Sequence, residues 1–390
     1  MMLHVGISAA RDAMRAAHES TGEALRRARA AGFALVLCTD GYDVDALAAS
    51  VTRELGEIPW AGCCGAGVFA GVEMREQGVV VGVLDSADAS FGVGVGGPVS
   101  ASAREAGRDA VAGAVAALRR RRAYRSFIVL PDALTGDAAS VIRGAVQEAG
   151  AGAGWVGGGA GDNLRYVRTA QFALGRAWHD SVVVVAIDSD RPTSVGIRHG
   201  WHPYGPPTMV TRAHGATAVE LDYRRAFDAY REVARNNGDD VTEREFARFA
   251  MTHPLGIPQP NGEYVIRDPL AVELDGSLRC VAEVPDGSTM RVMQGDRDDL
   301  LRAARAAASD ARERVLGPPG GAIVFDCVSR YLILGGDMRR ELAAIQEGIG
   351  RETPMMGCLT LGELGTVGSV APQFHNKTAV VMALPPSPGS

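Results

Sequence analysis

A unit made of a strand, a turn, a helix, a second strand and a glycine-rich loop occurs three times in this 390-residue chain. The closing loops read GCCGAG at 62–67, GGGAGD at 157–162 and GCLTLGE at 357–363. The first and third loops share a glycine, a cysteine and a second glycine at the same spacing. Such a repeat constrains the fold, because each unit must bury a sheet face and a helix stripe against a neighbour.

Apolar runs and amphipathic spacing predict where the elements of the chain lie. We predict an α/β fold in which repeated strand–helix–strand units form two related layered halves. A proline- and glycine-rich stretch at 255–264 predicts the connection between two domains, 1–215 and 216–390, with the boundary between 215 and 260. The predicted strands are 33–38, 58–61, 79–84, 91–95, 126–130, 182–187, 322–327 and 378–384. The predicted helices are 8–31, one ending near 55, 100–122, 137–148, 223–235, 298–315 and 338–349.

Glycine supplies 49 residues, well above the ~7% of an average protein, without a collagen-like period. Two strings match GxGxxG, at 92–97 and 152–157. A dinucleotide site needs a strand, a glycine turn and a helix, followed by an acidic residue on the next strand. The string at 152–157 leads from a helix into a strand, and the residue at the required distance from 92–97 lies inside a helix. Neither string predicts a nucleotide site, so the glycines should mark turns, close backbone approaches and ligand loops.

The charge balance argues against nucleic acid as the main partner, since 40 basic and 46 acidic residues give a net charge of −6. The one basic run, 119–122, is expected to end a helix, where cations favour the helix dipole. No stretch of about 20 apolar residues predicts a membrane span, and no secretory signal is evident at the N-terminus. We therefore expect a cytoplasmic protein without a membrane span.

Three segments carry the side chains best suited to hold a small molecule: FDCVSR at 325–330, the loop 357–363, and HNKT at 375–378. The first lies at the carboxyl end of a predicted strand, where α/β sheets commonly place ligands. Arg330 offers a bidentate contact to a carboxylate, and glycine-rich loops expose backbone N–H groups. The candidate ligand-binding residues from these segments and the second loop are Cys327, Arg330, Gly357, Cys358, Thr360, Glu363, His375, Asn376, Gly158 and Asp162.

Two alternatives remain open from the residues. Cys327 or Cys358 would act as a nucleophile with His375 as base if folding brings them together, which would make the protein a cysteine-dependent enzyme on a small molecule. A histidine of the group His199, His202 and His214 would bind haem axially from an apolar pocket. The ordinary explanations are that each cysteine is a buried thiol that packs in the core and that each histidine is a polar residue in a turn. If the three segments only bind a small molecule, no catalytic residue is assigned, and the cofactor is unknown.

Several motifs occur in a fixed order through both halves of the chain. The C-terminal half carries YVIRDPL at 264–270, PDGS at 285–288, FDCVSR, GCLTLGE and FHNKT at 374–378. The N-terminal half carries the first two glycine loops, HGW at 199–201, and Gly205 followed by VT at 210–211. In these motifs the sequence resembles the FIST family, a bacterial sensory module with FIST-N and FIST-C halves, over residues 30 to 384.

This resemblance implies small-ligand sensing, with amino acids or related metabolites as ligands and a histidine kinase or another signalling protein as partner. Some proteins that it resembles bind haem and sense nitric oxide. The first loop departs from the family pattern, because Cys64, Gly65 and Val68 replace its hydroxyls and acid, whereas the last loop keeps Thr360 and Glu363. The expected ligand therefore lies between the halves, against Arg267, Arg330, Glu363 and Asn376.

Overall fold

The computed structural model describes residues 1–85, 87–366 and 371–386. It confirms the α/β class, with 29% helix, 36% strand and several mixed sheets. The described chain forms three related α/β units and one inserted sheet. None of the described helices combines the length and apolar character needed to span a bilayer.

The first two units contain the same elements in the same order. The first consists of β1 (Met2–Ser8), α1 (Ala13–Arg27), β2 (Ala31–Thr39), α2 (Val44–Leu55), β3 (Trp60–Gly65), β4 (Val68–Ala70), β5 (Glu73–Arg75) and β6 (Val79–Asp85). The second consists of β7 (Ala89–Gly96), α3 (Val99–Ala116), β8 (Tyr124–Pro131), α4 (Ala138–Ala149), β9 (Gly154–Gly158), β10 (Gln171–Ala173), β11 (Arg176–Trp178) and β12 (Val182–Ser189).

The third unit begins with β13 (Ser194–Arg198) and is then interrupted by an inserted, antiparallel sheet with its own apolar core. The insertion consists of β14 (His202–Pro203), β15 (Thr208–His214), β16 (Thr217–Leu221), β17 (Arg224–Arg225), α5 (Ala226–Asn236), α6 (Phe246–Ala250), β18 (Leu255–Pro258), β19 (Tyr264–Arg267), β20 (Pro269–Val272), β21 (Leu278–Cys280) and β22 (Thr289–Gln294). The third unit resumes with α7 (Arg297–Glu313), β23 (Gly321–Cys327), α8 (Val328–Leu334), α9 (Met338–Ile349), β24 (Met355–Thr360), β25 (Glu363–Gly365), β26 (Gln373–His375) and β27 (Ala379–Leu384).

Each unit gives a short hairpin to the sheet of another unit. The three sheets have the orders β1-β6-β2-β3-β10-β11, β7-β12-β8-β9-β25-β26 and β13-β27-β23-β24-β4-β5. The first unit thus completes the sheet of the third, the second completes the first, and the third completes the second. The arrangement is a cyclic exchange, so no unit forms its whole sheet alone.

One apolar core joins the three units. Leu35, Ile128 and Phe325, which come from the central strands β2, β8 and β23, are all fully buried in it. Glycines in the edge strands let the following helices approach closely: a Cβ at Gly94 would lie 2.0 Å from the carbonyl oxygen of Ala110 in α3. The GxGxxG string at 92–97 therefore serves helix packing in β7.

Several predicted bounds differ from the structure. The predicted helix 8–31 is shorter in the structure, where α1 covers Ala13–Arg27. The preceding segment MLHVGIS, for which no strand was predicted, is β1 and pairs with β6 along its whole length. Helix α3 ends at Ala116, so the basic run 119–122 lies beyond it and does not end the helix as predicted. The predicted domain boundary at 215/216 stays a prediction; these residues lie in the turn between β15 and β16.

Candidate functional site

The second and third glycine-rich loops meet each other and the end of β3 near the centre of the molecule. The amide of Gly161 donates to the carbonyl of Cys64 at 3.0 Å, and that of Gly159 donates to Gly362 at 2.9 Å. The Leu361 amide in turn donates to the carbonyl of Gly159 at 3.0 Å. These N–H groups join the units to one another, so they are not open donors for a ligand.

Arg330 is the centre of a buried polar cluster next to these loops. Its side chain is fully buried, and its guanidinium bonds Oε1 of Glu341 through both Nε and Nη2. Nη1 donates to the carbonyls of His199 at 2.8 Å and Lys377 at 3.4 Å, and Nη2 also donates to Leu300 at 2.8 Å. These five hydrogen bonds account for all five N–H groups of an arginine. Arg330 therefore holds elements of the protein together and has no donor left for a ligand.

The carboxyl groups of the cluster are buried without enough cations to balance them. Asp326 lies 3.3 Å from Nε of Arg330, and Glu363 accepts a hydrogen bond of 2.8 Å from the hydroxyl of Thr360. Burial is the largest cause that raises the pKa of Asp326 and of Glu363 well above the usual range, and it also raises the pKa of Glu341. A raised pKa means that the surroundings favour the neutral carboxyl.

Lys377 is the only lysine of the sequence, and its side chain is fully buried. Its Nζ lies 3.1 Å from Oδ2 of Asp268 and donates to the carbonyl of Met251 at 3.1 Å. Asp268 also accepts a hydrogen bond of 2.9 Å from the hydroxyl of Ser329. The ammonium is 5.8 Å from the ring centroid of Trp201, within cation–π range. Lys377 thus links the inserted sheet to the third unit.

Asn376, beside Lys377, is 1% exposed, and neither polar atom of its side chain has a hydrogen-bond partner among the described residues. The backbone carbonyl of Asn376 accepts a hydrogen bond of 2.7 Å from the hydroxyl of Thr378. The backbone amide of Thr378 donates to the carboxyl group of Glu363 at 3.3 Å. Six predicted site residues are therefore close in the fold: Cys327, Arg330, Thr360, Glu363, His375 and Asn376.

The two cysteines predicted as nucleophiles are in different surroundings. Burial, followed by the neighbouring Glu363, raises the pKa of the Cys327 thiol, which therefore stays protonated and poorly nucleophilic. Cys358 is fully buried in the central apolar core. No hydrogen bond joins either thiol to His375 within the described residues.

The predicted glycines have packing roles. A Cβ at Gly158 would lie 2.5 Å from Cγ2 of Thr360, and one at Gly357 would lie 2.1 Å from the carbonyl oxygen of Val324. Gly158 also pairs with Glu363, where β9 meets the hairpin received from the third unit.

Asp162 organises the loop that follows the second glycine string. Its carboxylate accepts hydrogen bonds from the amides of Tyr166 at 3.0 Å and Val167 at 2.7 Å. Tyr166 has a positive φ of 54°, which these bonds support. Burial is the largest cause that raises the pKa of the Tyr166 hydroxyl, followed by its neighbour Asp268. Asp162 therefore fixes the backbone of the loop 162–167.

The three histidines proposed as haem ligands do not form one group. His199 is half-buried and accepts a hydrogen bond of 2.9 Å from the amide of Trp201. His202 is exposed and lies 3.3 Å from Asp299, while His214 is an exposed residue at the end of β15. No group of three or more metal-binding side chains occurs in residues 1–85, 87–366 and 371–386.

His202 lines a cavity of about 840 Å³ between the inserted sheet and the third unit. Most of the side chains around it are charged or polar, among them Arg248, Asp296, Arg297 and Asp299. Haem sites bury the macrocycle largely against apolar groups, and His202 is engaged with Asp299. The lining of this cavity does not fit haem.

A second cavity of about 430 Å³ lies where α3 and α4 of the second unit face the inserted sheet and β26. We call it the arginine cavity; its lining includes Arg104, Arg143, Arg267, Glu283, Gln373 and Phe374. Arg267 is thus the predicted ligand residue that lines this space. It is 5% exposed, and burial lowers the pKa of its guanidinium to about 10.

Arg104 and Arg143 were missed by sequence reasoning, because no motif contains them. Their placement depends on the contact between α3 and α4, where a Cβ at Gly144 would lie 1.8 Å from the carbonyl oxygen of Arg104. A Cβ at Gly107 would likewise lie 2.0 Å from the carbonyl oxygen of Val141 in α4. In the sequence, the glycines at these two helix positions could have predicted that the helices α3 and α4 pack closely.

Comparison with known proteins places both halves of the chain in known domain families. Residues 32–224 match the FIST N domain and residues 226–366 match the FIST C domain. An uncharacterized Mycobacterium tuberculosis protein, recorded in strains CDC 1551 and H37Rv, is 25% identical over 380 residues, which cover 94% of this chain and 95% of the relative. An uncharacterized Methanocaldococcus jannaschii protein is 26% identical over 157 residues, covering 38% of this chain and 30% of that protein.

Proposed function

The chain belongs to the FIST family, whose domains are sensory domains that bind small ligands in signal transduction, and we propose that it senses a small metabolite in the arginine cavity. One observation carries the choice of cavity. Residues of both matched domains line it, with Arg104 and Arg143 from the FIST N domain and Arg267 and Glu283 from the FIST C domain. A ligand there would contact both parts and bias their relative position.

The contacts of Arg267 offer a route from this cavity to the rest of the protein. Its Nη1 donates to the carbonyl of Phe374 at 3.0 Å, in the hairpin received from the third unit. The next residue, Asp268, pairs with Lys377 and Ser329. A ligand that moves Arg267 would therefore act on the buried polar cluster, even though most predicted site residues lie there and not in the cavity.

The proposed ligand is an amino acid or a related small metabolite, and the proposed partner is a separate signalling protein such as a histidine kinase. The proposed location is the cytoplasm. Its support is that the six cysteines are free thiols, including Cys38 and Cys64 with Sγ atoms 3.4 Å apart, since a reducing compartment preserves such pairs.

The proposal is tested by filling the cavity. Ala139 of α4 lines it and is partly exposed, so Ala139→Trp should occupy the space without removing a core side chain. We expect metabolites that raise the melting temperature of the wild-type protein to lose that effect in Ala139→Trp. The matched control is Ala112→Trp, an exposed position of α3 outside the cavity, which should respond like the wild type.

A metabolite library that stabilises neither protein, or that stabilises Ala139→Trp as strongly as wild type, would refute the proposed site. The alternatives have weaker support. The cysteine enzyme would need a reactive thiol, whereas Cys327 has a raised pKa. The haem sensor would need an apolar pocket at a histidine, whereas His202 borders a polar one.

A further inference from the structure

We infer that the ligand of the arginine cavity is a small anion, bound through its carboxylate or phosphate group by Arg267 and Arg104. This inference rests on the proposed function, because it names the chemical class that the same cavity selects. Three observations support it: the state of Arg267, the uneven distribution of charge, and the character of the cavity walls.

Arg267 is a buried cation without an acidic partner. Its hydrogen bonds go to the backbone carbonyls of Glu283, Ile266 and Phe374, and no carboxylate of the described residues forms an ion pair with it. Burying a charge without a counter-ion is costly. The lowered pKa of about 10, caused by burial, reflects this cost. A bound anion would supply the missing opposite charge.

The geometry leaves part of the guanidinium available. Nε and Nη1 make the three bonds to carbonyls, whereas Nη2 makes no hydrogen bond to a described residue. Arg267 lines the cavity. A planar guanidinium fixed by its other nitrogens is well oriented for an oxygen of a carboxylate or phosphate. Arg330 differs on this point, because all of its N–H groups are occupied.

The other charges of the cavity do not cancel Arg267. Arg143 is already neutralised by two acids, since it lies 2.7 Å from Glu283 and 2.9 Å from Asp137. Glu283 is the acidic residue in the cavity lining. Arg104 bonds the side-chain oxygen of Gln147 at 3.1 Å and forms no ion pair with a described carboxylate. The cavity therefore has an excess of positive charge at Arg104 and Arg267.

The walls favour an organic acid over a bare ion. Ile142, Val146, Pro372 and Phe374 contribute apolar surface beside the two arginines. The volume of about 430 Å³ falls in the range of small-ligand sites. A compact body with one or two acidic groups fits this combination of apolar and cationic walls. Carboxylates and phosphates share this chemistry, so the test must separate them.

The test compares charged probes with neutral counterparts by isothermal titration calorimetry and thermal shift. The carboxylate arm pairs acetate with acetamide and succinate with succinamide. The phosphate arm pairs inorganic phosphate and glycerol 3-phosphate with glycerol. The proteins are the full-length wild type, Arg267→Gln, Arg104→Glu and the control Arg291→Gln. Arg291 lies in the inserted sheet, donates to the carbonyl of Gly205 at 3.0 Å and does not line the cavity.

We expect at least one anion to bind the wild type and its neutral counterpart to bind at least about tenfold more weakly. Arg267→Gln and Arg104→Glu should each weaken binding of that anion by about tenfold or more, whereas Arg291→Gln should not. Arg104 is exposed, so its variant should keep the fold if Arg267→Gln fails to do so. The arm that contains the binder identifies the acidic group.

Equal binding of an anion and its neutral counterpart would overturn the inference, as would wild-type affinity in both arginine variants. If neutral metabolites bind and Ala139→Trp blocks them, the inference fails and the proposed function stands. If no probe or metabolite of any charge binds the wild type, both fail.

Discussion

Arg330 and Arg267 are both buried arginines near the same strands, yet the first uses all five N–H groups on protein acceptors and the second leaves Nη2 without one. Both residues belong to the sequence motifs. Only their surroundings distinguish them, because the number of acceptors around a guanidinium depends on which chain segments fold against it. Arg330 is thus a positioning residue, and Arg267 is the proposed contact to the ligand.

His375 shows how burial sets a pH dependence at the scale of one residue. Burial, with a smaller contribution from Arg267, lowers the pKa of its imidazole to about 3. The folded protein therefore keeps His375 neutral, while the unfolded chain takes up a proton below a pH of about 6.5. Stability is lost as the pH falls from about 6.5 towards 3, because protons bind preferentially to the unfolded state in this range.

We predict that His375→Gln reduces the loss of stability between pH 7 and pH 5. At about 1.4 kcal/mol per pKa unit, the imidazole accounts for about 2 kcal/mol of that loss. The measurement is urea unfolding at both pH values, followed by circular dichroism. His214→Gln, at an exposed position, is the control and should lose stability as the wild type does. An identical loss in His375→Gln and wild type would show that the imidazole titrates normally in the fold.

At the scale of elements, the exchanged hairpins determine how the three units are joined. In sequence, each hairpin lies between two strands that both pair with the central strand of its own unit, and it leaves that unit to extend another sheet. Phe69 of β4 is fully buried among residues of the third unit. The sequence predicted that a glycine loop closes each unit, but not that the chain after each loop crosses to another sheet. Short strands of three residues carry too little periodicity to identify a partner.

Gly357 lies where β24 contacts both its own sheet and the hairpin received from the first unit. A Cβ added there would lie 2.1 Å from the carbonyl oxygen of Val324 and 2.5 Å from Cζ of Phe69. We predict that Gly357→Ala lowers the free energy of unfolding by about 1–3 kcal/mol, because a strand or the ring must move. Urea unfolding at pH 7 measures the effect.

Gly152→Ala is the matched control, since a Cβ there would have no atom within 4 Å, and its unfolding free energy should change by less than about 0.5 kcal/mol. If both variants unfold like the wild type, the close contact of β24 with the donated hairpin is not maintained in solution.

At the scale of the whole molecule, the two matched domains depend on each other. The FIST N match contains β4 and β5, which complete the third sheet, and the FIST C match contains β25, which extends the second. The inserted sheet also draws β15 and β16 from one side of residue 225 and β18 to β22 from the other. The division between the two sequence families therefore crosses three of the four sheets.

We predict that fragments 1–224 and 225–390, expressed separately, do not unfold cooperatively at the urea midpoint of the intact chain. Each fragment would expose sheet edges and apolar surface that the other covers. Mixing the two should restore a cooperative transition and a single complex by size-exclusion chromatography. A fragment that alone unfolds at the midpoint of the intact chain would disprove the dependence.

The sequence by itself determined the α/β class, the three repeated units and the family resemblance, because apolar periodicity and glycine loops are local signals that survive in any context. It also selected Arg267, through the family resemblance, beside Arg330, which was selected for its contact to a carboxylate. The tertiary structure decided the exchange of hairpins, the inserted sheet, and the meeting of Arg104, Arg143 and Arg267 around one cavity. The exchange of hairpins and the cavity depend on contacts between residues more than 100 positions apart, and the free energy of such contacts comes from burial and charge that no local pattern records.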